Sequence, residues 1–270
     1  MPVTTTKNAT VKTSRSATVE YDVHGEGPSL VLINGLGFGR WGFFKQVPDL
    51  SRRFAAIAFD AKGGRNSEGV IEGLAADVAD LLAHLGVNRA HVLGTSFGGF
   101  VAQELALSRP ELVAVLVLVS TGHGGRGQER MSPGAMGKMS GLGALSLRQA
   151  VRRGLEGATS ERYRTEHPDE FEWIGQKRLE DSPSPASYNA QALAGARFDH
   201  SGDVGRIASP TLVIHGSEDR YVPPANARAL AEAVPGASLL VLEGAGHLVF
   251  VERAAEVNRE VLAFLGGGQA

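Results

Sequence analysis

Residues 90–108 read AHVLGTSFGGFVAQELALS. The first four form a short apolar run of strand character, and Phe97–Ser108 reads as a helix that ends at Arg109-Pro110. Between them lies Gly94-Thr95-Ser96-Phe97-Gly98, a G-x-S-x-G pattern. The bare pattern is weak evidence in a chain with 35 glycines; chance alone supplies about 0.3 matches. Its setting carries the argument. A serine at a sharp strand-to-helix turn is forced into a strained backbone, with its hydroxyl exposed above the sheet edge at a helix N-terminus, where partial positive charge favours an oxyanion. The competing reading is a helix-capping serine in a glycine-rich turn; strand, turn and helix in that order favour Ser96 as a nucleophile.

Upstream, Ala17–Val23 alternates as a strand and turns at His24–Pro28. Ser29–Ile33 is a buried run stopped by NGLGFG, Trp41–Leu50 a short helix and Phe54–Phe59 another apolar run. Leu74, Val78, Leu81, Leu82 and Leu85 recur at helical spacing before Gly86. Downstream, Leu112–Val119 is continuous and Val-rich, as a central parallel strand requires. Thr211–Ile214 and Ser238–Leu242 read as strands, Asn226–Val234 and Glu252–Leu265 as helices. Alternating strands and helices predict an α/β class with a mostly parallel central sheet flanked by helices. Residues 121–205 break the rhythm, with eight glycines in 122–143, three of the four methionines, helical patches and no convincing strand. They predict a helical cap inserted into a core of residues 17–120 and 206–270. Residues 1–16 are polar, a flexible N-terminus or a weak edge strand.

A serine hydroxyl needs a base, and the base needs an orienting group. The strand Thr211–Ile214 runs out into His215-Gly216-Ser217-Glu218-Asp219. A carboxylate just past a strand end sits on the loop side of the sheet with Ser96. Asp219 is favoured over Glu218 because it directly precedes the turn Arg220-Tyr221-Val222-Pro223-Pro224. The last strand is followed by Glu243-Gly244-Ala245-Gly246-His247, a loop that can bring His247 over the serine. His123 and His215 also follow strands, but satisfied structural histidines are the plainer reading for them. No histidine pair has metal-ligand spacing with a carboxylate, so no metal site is expected. Acyl transfer also needs two N–H donors at the developing oxyanion. Phe97, the residue after the serine, offers one, and Leu36 in the loop Asn34-Gly35-Leu36-Gly37 the other.

Composition narrows the remaining classes. The 270 residues are 43% hydrophobic and 21% charged, with a net charge of −2, so the basic excess of a nucleic-acid binder is absent. The longest apolar run, Leu112–Val119, falls far short of the roughly 20 residues of a membrane span. No apolar export segment follows the N-terminus, so a cytoplasmic location is expected. The chain has no cysteine, which removes disulfides, thiolate metal sites and cysteine nucleophiles together.

With NGLG at 34–37, FDAKGGRNS at 59–67, GTSFGG at 94–99, HGSEDRYVPP at 215–224 and GAGHLVFVE at 244–252, the chain resembles the α/β-hydrolase superfamily from about residue 17 to 266. The last two motifs look most like the capped esterase and β-ketoadipate enol-lactonase group. The resemblance implies a serine acyl-enzyme with Ser96 as nucleophile, His247 as base and Asp219 as orienter, and no cofactor. Two motifs depart from the common pattern. Asn34 opens the oxyanion loop where many relatives have His-Gly, and DAKGGRNS replaces the commoner D-x-R-G-x-G-x-S. A serine at the nucleophile position disfavours the aspartate-dependent chemistry of dehalogenases and epoxide hydrolases.

Capped pockets are mostly apolar with a few polar anchors. Met131, Met136 and Met139 offer adaptable lining, although packing within the cap would use them equally well. Phe38, Phe43, Trp173, Leu248 and Val249 are further candidates. The eleven basic and eleven acidic residues of 121–205 balance, which gives no net attraction for an anionic lactone, although one well-placed arginine could still bind a carboxylate; a small to medium, largely apolar ester or lactone is the expected substrate. Carbon–carbon bond hydrolysis and cofactor-free perhydrolysis would use the same three residues. A ligand receptor with slow turnover is a reading of another class. The oligomeric state is left open, a homo-oligomer included.

Overall fold

The apolar runs assemble into one eight-stranded sheet in the computed structural model of the chain, which describes residues 6–60, 69–131 and 145–267. The strands are β1 (Thr6–Lys12), β2 (Thr18–His24), β3 (Ser29–Ile33), β4 (Ala55–Phe59), β5 (Ala90–Thr95), β6 (Val113–Val119), β7 (Thr211–Gly216) and β8 (Ser238–Leu242). Their spatial order is β1-β2-β4-β3-β5-β6-β7-β8. The pairs β1–β2 and β2–β4 are antiparallel, and every other pair is parallel. Every residue of β3, β4 and β5 is buried, as expected of parallel strands covered on both faces. The N-terminal segment is an edge strand from Thr6 onward, tied down where the Asn8 N–H donates to Asp22 Oδ1 at 2.6 Å.

The helices are α1 (Val47–Leu50), α2 (Val70–His84), α3 (Phe97–Ser108), α4 (Leu147–Ala158), α5 (Glu161–Glu166), α6 (Pro168–Glu180), α7 (Pro185–Arg197), α8 (Pro224–Ala233), α9 (Val249–Glu252) and α10 (Ala254–Gly267). Side chains alternate across the pleat. Val31 and Ile33 join the core on the α2, α3 and α8 side, whereas Leu30 and Leu32 join the core on the α9 and α10 side. Helix α2 buries Leu74, Val78, Leu81 and Leu82, the stripe its spacing predicts, and ends as Gly86 turns to φ 68°. Two expectations need correction. Trp41–Leu50 is a 3₁₀ turn at Arg40–Phe43 followed by α1. The terminal helix is two pieces, because Arg253 leaves helical geometry at φ −120°, ψ 39° between α9 and α10.

Strand order positions the site. From β3 the chain steps to one side to form β4, then returns across to form β5 on the other side of β3. A crevice opens where such an order reverses, at the carboxyl ends of the strands. Ile33 pairs with Gly94, so the loops after β3 and β5 leave the sheet side by side. The helices α4–α7 lie between β6 and β7 in the chain. Arg40 fixes the other flank: it pairs with Asp60 at the end of β4 and with Asp22, 2.9 Å away, on β2. Most of FDAKGGRNS lies outside the described residues; its Asp60 accepts from the Arg40 N–H at 2.7 Å.

Leu116 is fully buried at the sheet centre, whereas Leu147 is 57% exposed. Urea unfolding is expected to show a loss of about 3 kcal/mol for Leu116→Ala and under about 0.5 kcal/mol for Leu147→Ala.

Candidate active site

Ser96 sits between β5 and α3 at φ 52°, ψ −117°, a backbone conformation that costs a side-chain-bearing residue about 1–3 kcal/mol. Its neighbours make the turn feasible. A Cβ on Gly98 would lie 2.2 Å from the Ile33 carbonyl oxygen, and one on Gly94 would lie 2.4 Å from the Gly98 carbonyl oxygen. The two glycines therefore let α3 press against the ends of β3 and β5. The Thr121 hydroxyl donates to the Ser96 carbonyl at 3.0 Å, which secures the turn from β6.

Asp219 and His247 reach Ser96 from the ends of β7 and β8. His247 Nε2 lies 2.9 Å from Ser96 Oγ, and its Nδ1 lies 2.7 Å from Asp219 Oδ2. An Nδ1–H donating to the carboxylate leaves Nε2 free to accept the hydroxyl proton. Asp219 Oδ1 accepts the N–H groups of Tyr221 and Val222, both at 2.9 Å. Burial alone would raise the Asp219 pKa, but attraction to His247 and hydrogen bonds from His215 and His247 outweigh it. The carboxyl is held well below its ordinary range. Glu218 lies beside it in sequence, but the hydrogen bond from His247 goes to Asp219.

The histidine loop is fastened on several sides. Ser120, at φ 51° after β6, donates its hydroxyl to the His247 carbonyl at 2.7 Å. The Leu248 N–H donates to the Ala158 carbonyl at 2.9 Å. Glu252 Oε1 accepts from Gly246 N–H at 3.2 Å and Ser160 N–H at 3.1 Å, and burial raises its pKa. The Tyr221 ring meets the His247 ring edge-on at 5.5 Å, and its hydroxyl donates to the Gly154 carbonyl at 2.7 Å. Burial, helped by Tyr188 and Asp219 against Arg178, pushes that phenol up to about 12, so it stays neutral.

Ser96 and His247 open onto a cavity of about 370 Å³. Leu36 and Phe97 line it, as do Phe38, Met131 and Leu248, with Phe100 and Phe250 completing an apolar wall. Three expected lining residues face elsewhere. Phe43 is fully buried in the core against Phe250, 5.9 Å between ring centres, and Val249 is fully buried. Trp173 is 38% exposed and packs on Trp41 and Phe44 instead. Met136 and Met139 lie outside the described residues. His123 turns to the Gly124 carbonyl at 2.8 Å. His215 is fully buried, 2.8 Å from the Val222 carbonyl and 3.1 Å from Asp219 Oδ2, and so supports the carboxylate. Asn34 Nδ2 donates to the Gly39 carbonyl at 2.7 Å, which closes the loop after β3 on itself.

Sequence reasoning missed Ser120 and Glu252, and also Arg178 on α6 and Tyr188 on α7, which line the cavity. Ser120 carries a positional signal as the first polar residue past the central strand. Arg178 and Tyr188 carry none, because nothing local distinguishes them from other residues of a charge-balanced helical stretch.

A hydroxyl, an imidazole and a buried carboxylate in series, beside a helix N-terminus at a switch-point crevice, form an arrangement that can support nucleophilic chemistry. A family model described as the alpha/beta hydrolase fold matches residues 28–254, and the chain belongs to that family of hydrolases. It is 32% identical over 93% of its length to a Mycobacterium tuberculosis protein named as a non-heme bromoperoxidase, BpoC, covering 98% of that protein. It is 29% identical over 92% of its length to the 2-hydroxy-6-oxo-6-phenylhexa-2,4-dienoate hydrolase of Comamonas testosteroni, covering 91% of it. The crystal structure of the enol-lactonase from Burkholderia xenovorans LB400 superposes with a TM-score of 0.82 at 25% identity, covering 96% of this chain and 100% of that one. Among the described residues, no helix is long and apolar enough to cross a membrane.

Because the Asp219 pKa is depressed on folding, its ionised form contributes stability above the ordinary carboxylate range, and that contribution is lost as pH falls through the lowered value. Asp219→Asn is therefore expected to be less stable than the wild type near neutral pH. Denaturant titrations should show the gap narrowing below about pH 4; a gap that stays constant into strong acid would contradict the assignment.

Proposed function

We propose that the chain is a serine hydrolase that cleaves a small to medium carboxylic ester or lactone through an acyl-enzyme. The observation that carries this reading is the unbroken hydrogen-bonded series from Ser96 Oγ through His247 to Asp219, opening into a mostly apolar cavity. In the proposed cycle Ser96 Oγ attacks the carbonyl carbon while His247 Nε2 takes its proton. The N–H groups of Leu36 and Phe97 receive the oxyanion. Collapse of the tetrahedral intermediate expels the alcohol, or opens the lactone, with the proton returned by His247. Water then repeats the sequence in reverse to free the acid and Ser96. Asp219, ionised throughout, orients His247 and balances its transient charge.

The helices α4–α7 act in this reading as a cap that supplies part of the cavity wall and limits substrate size. A second reading, carbon–carbon bond hydrolysis, draws on the similarity to the Comamonas hydrolase and uses the same residues. A panel of esters, lactones and vinylogous diketones separates the two by rate.

Turnover of p-nitrophenyl butyrate by the wild type and by Ser96→Ala tests the reading. The variant is expected to lose at least about 10⁴-fold in kcat; turnover that survives in it would place the nucleophile elsewhere. His247→Ala is expected to lose kcat on a similar scale, because no other group in the series then takes the Ser96 proton. Near-wild-type kcat in that variant would remove His247 from the mechanism.

A further inference from the structure

Arg178, near the end of α6, lines the same cavity as Ser96. Burial works against its charge, while the phenols of Tyr188 and Tyr221 favour it. Its guanidinium also reaches the loop after β3. Nε donates to the Gly37 carbonyl at 3.2 Å, and Nη2 lies 3.5 Å from the Leu36 carbonyl. The guanidinium carbon stands 4.8 Å from the centre of the Phe38 ring, within cation–π range.

The loop it grips is a tight turn. The Phe38 N–H donates to the Gly35 carbonyl at 3.2 Å, and Gly37 has φ 76°, the positive value that a type II turn needs at its third position. The central peptide of such a turn, Leu36–Gly37, reverses its carbonyl in the type I alternative. A cation at the Leu36 carbonyl opposes that reversal. Gly37 meets a second demand here, because a Cβ on it would lie 2.3 Å from Arg178 Nη2. Upstream, the loop is anchored where Ile33 pairs with Gly94. Leu36 is thus held on both sides, by the sheet before it and by Arg178 after it.

We propose that Arg178 is a positioning residue for the oxyanion site: from α6 it holds the Leu36 and Gly37 carbonyls and so fixes the turn that presents the Leu36 N–H to the reacting carbonyl oxygen. The inference rests on the reading of Leu36 and Phe97 as the oxyanion donors. It couples the helical insertion to the chemical step, because docking of α6 and alignment of the donor become one event. The oxyanion forms only on the way to the intermediate, so a misaligned donor lowers kcat and leaves ground-state binding nearly unchanged.

The test uses Arg178→Met, which keeps an apolar stem beside Phe38, in the full chain with its thermal stability measured alongside. Two substrates are compared, ethyl butyrate and monoethyl glutarate, the second carrying a free carboxylate. The expected result is a kcat lower by about 10–100-fold on both esters, with KM changed less than about threefold. Amide exchange at Phe38 should be faster, and Arg178→Lys should recover part of the rate. A loss confined to monoethyl glutarate and expressed in KM would overturn the proposal, making Arg178 a reader of substrate charge. An unchanged kcat on both esters would overturn it as well. If Arg178→Met fails to fold, Arg178→Lys read by the same kcat-against-KM split and the same amide decides. Absence of Ser96-dependent turnover in the wild type would refute the serine hydrolase reading. In that case unchanged exchange at Phe38 in the variant would separately refute the clamp.

Discussion

The backbone of Ser96 at φ 52°, ψ −117° is the constraint around which the molecule is arranged. An isolated peptide would relax such a conformation. Here β5 is held by parallel pairing to β3 on one side and β6 on the other, while α3 is pressed onto the end of β3 through Gly98. The strain is thus borne by the most buried part of the sheet, and its product is a hydroxyl raised at the start of a helix. The reversal of strand order at β3 supplies the space in front of that hydroxyl.

Everything else in the site approaches Ser96 from the same edge of the sheet and is fastened before it arrives. Asp219 is gripped by the N–H groups of Tyr221 and Val222 and supported by His215. The His247 loop is held by Ser120, Ala158 and Glu252. In the proposed mechanism this immobility matters more than the identity of any single contact. A proton moving between Oγ and Nε2 needs heavy atoms kept within hydrogen-bonding reach, and fixed dipoles in a largely apolar cavity do not have to reorganise as charge develops. The proposed grip of Arg178 on Leu36 and Gly37 extends the same device to the oxyanion loop.

Much of this was legible in the sequence, and the remainder was hidden for physical reasons. Strands and helices announced themselves because their periodicity is local: Phe97–Ser108 and Ser238–Leu242 carry the bounds read from sequence. Ser96, Asp219 and His247 were readable because each follows a strand end, and strand ends share one side of a parallel sheet. The pocket lining was read less well. Phe43, Val249 and Trp173 are apolar and near the right loops, but only the packing decides which side of a loop a ring occupies. Arg178 and Tyr188 lie in a region whose charges cancel, so composition does not single out which of its cations reaches the site. The contacts of Arg178 with the loop after β3 span more than a hundred residues of chain and leave no local signature.

The proposed mechanism requires a covalent intermediate on Ser96. Rapid-quench mass spectrometry of the protein during turnover of a slowly deacylated ester, followed by peptide mapping, detects it. An added mass equal to the acyl group is expected, carried by the peptide that contains Ser96 and absent from Ser96→Ala. Product release with no adduct at any time, or an adduct mapped to another residue, would contradict the mechanism.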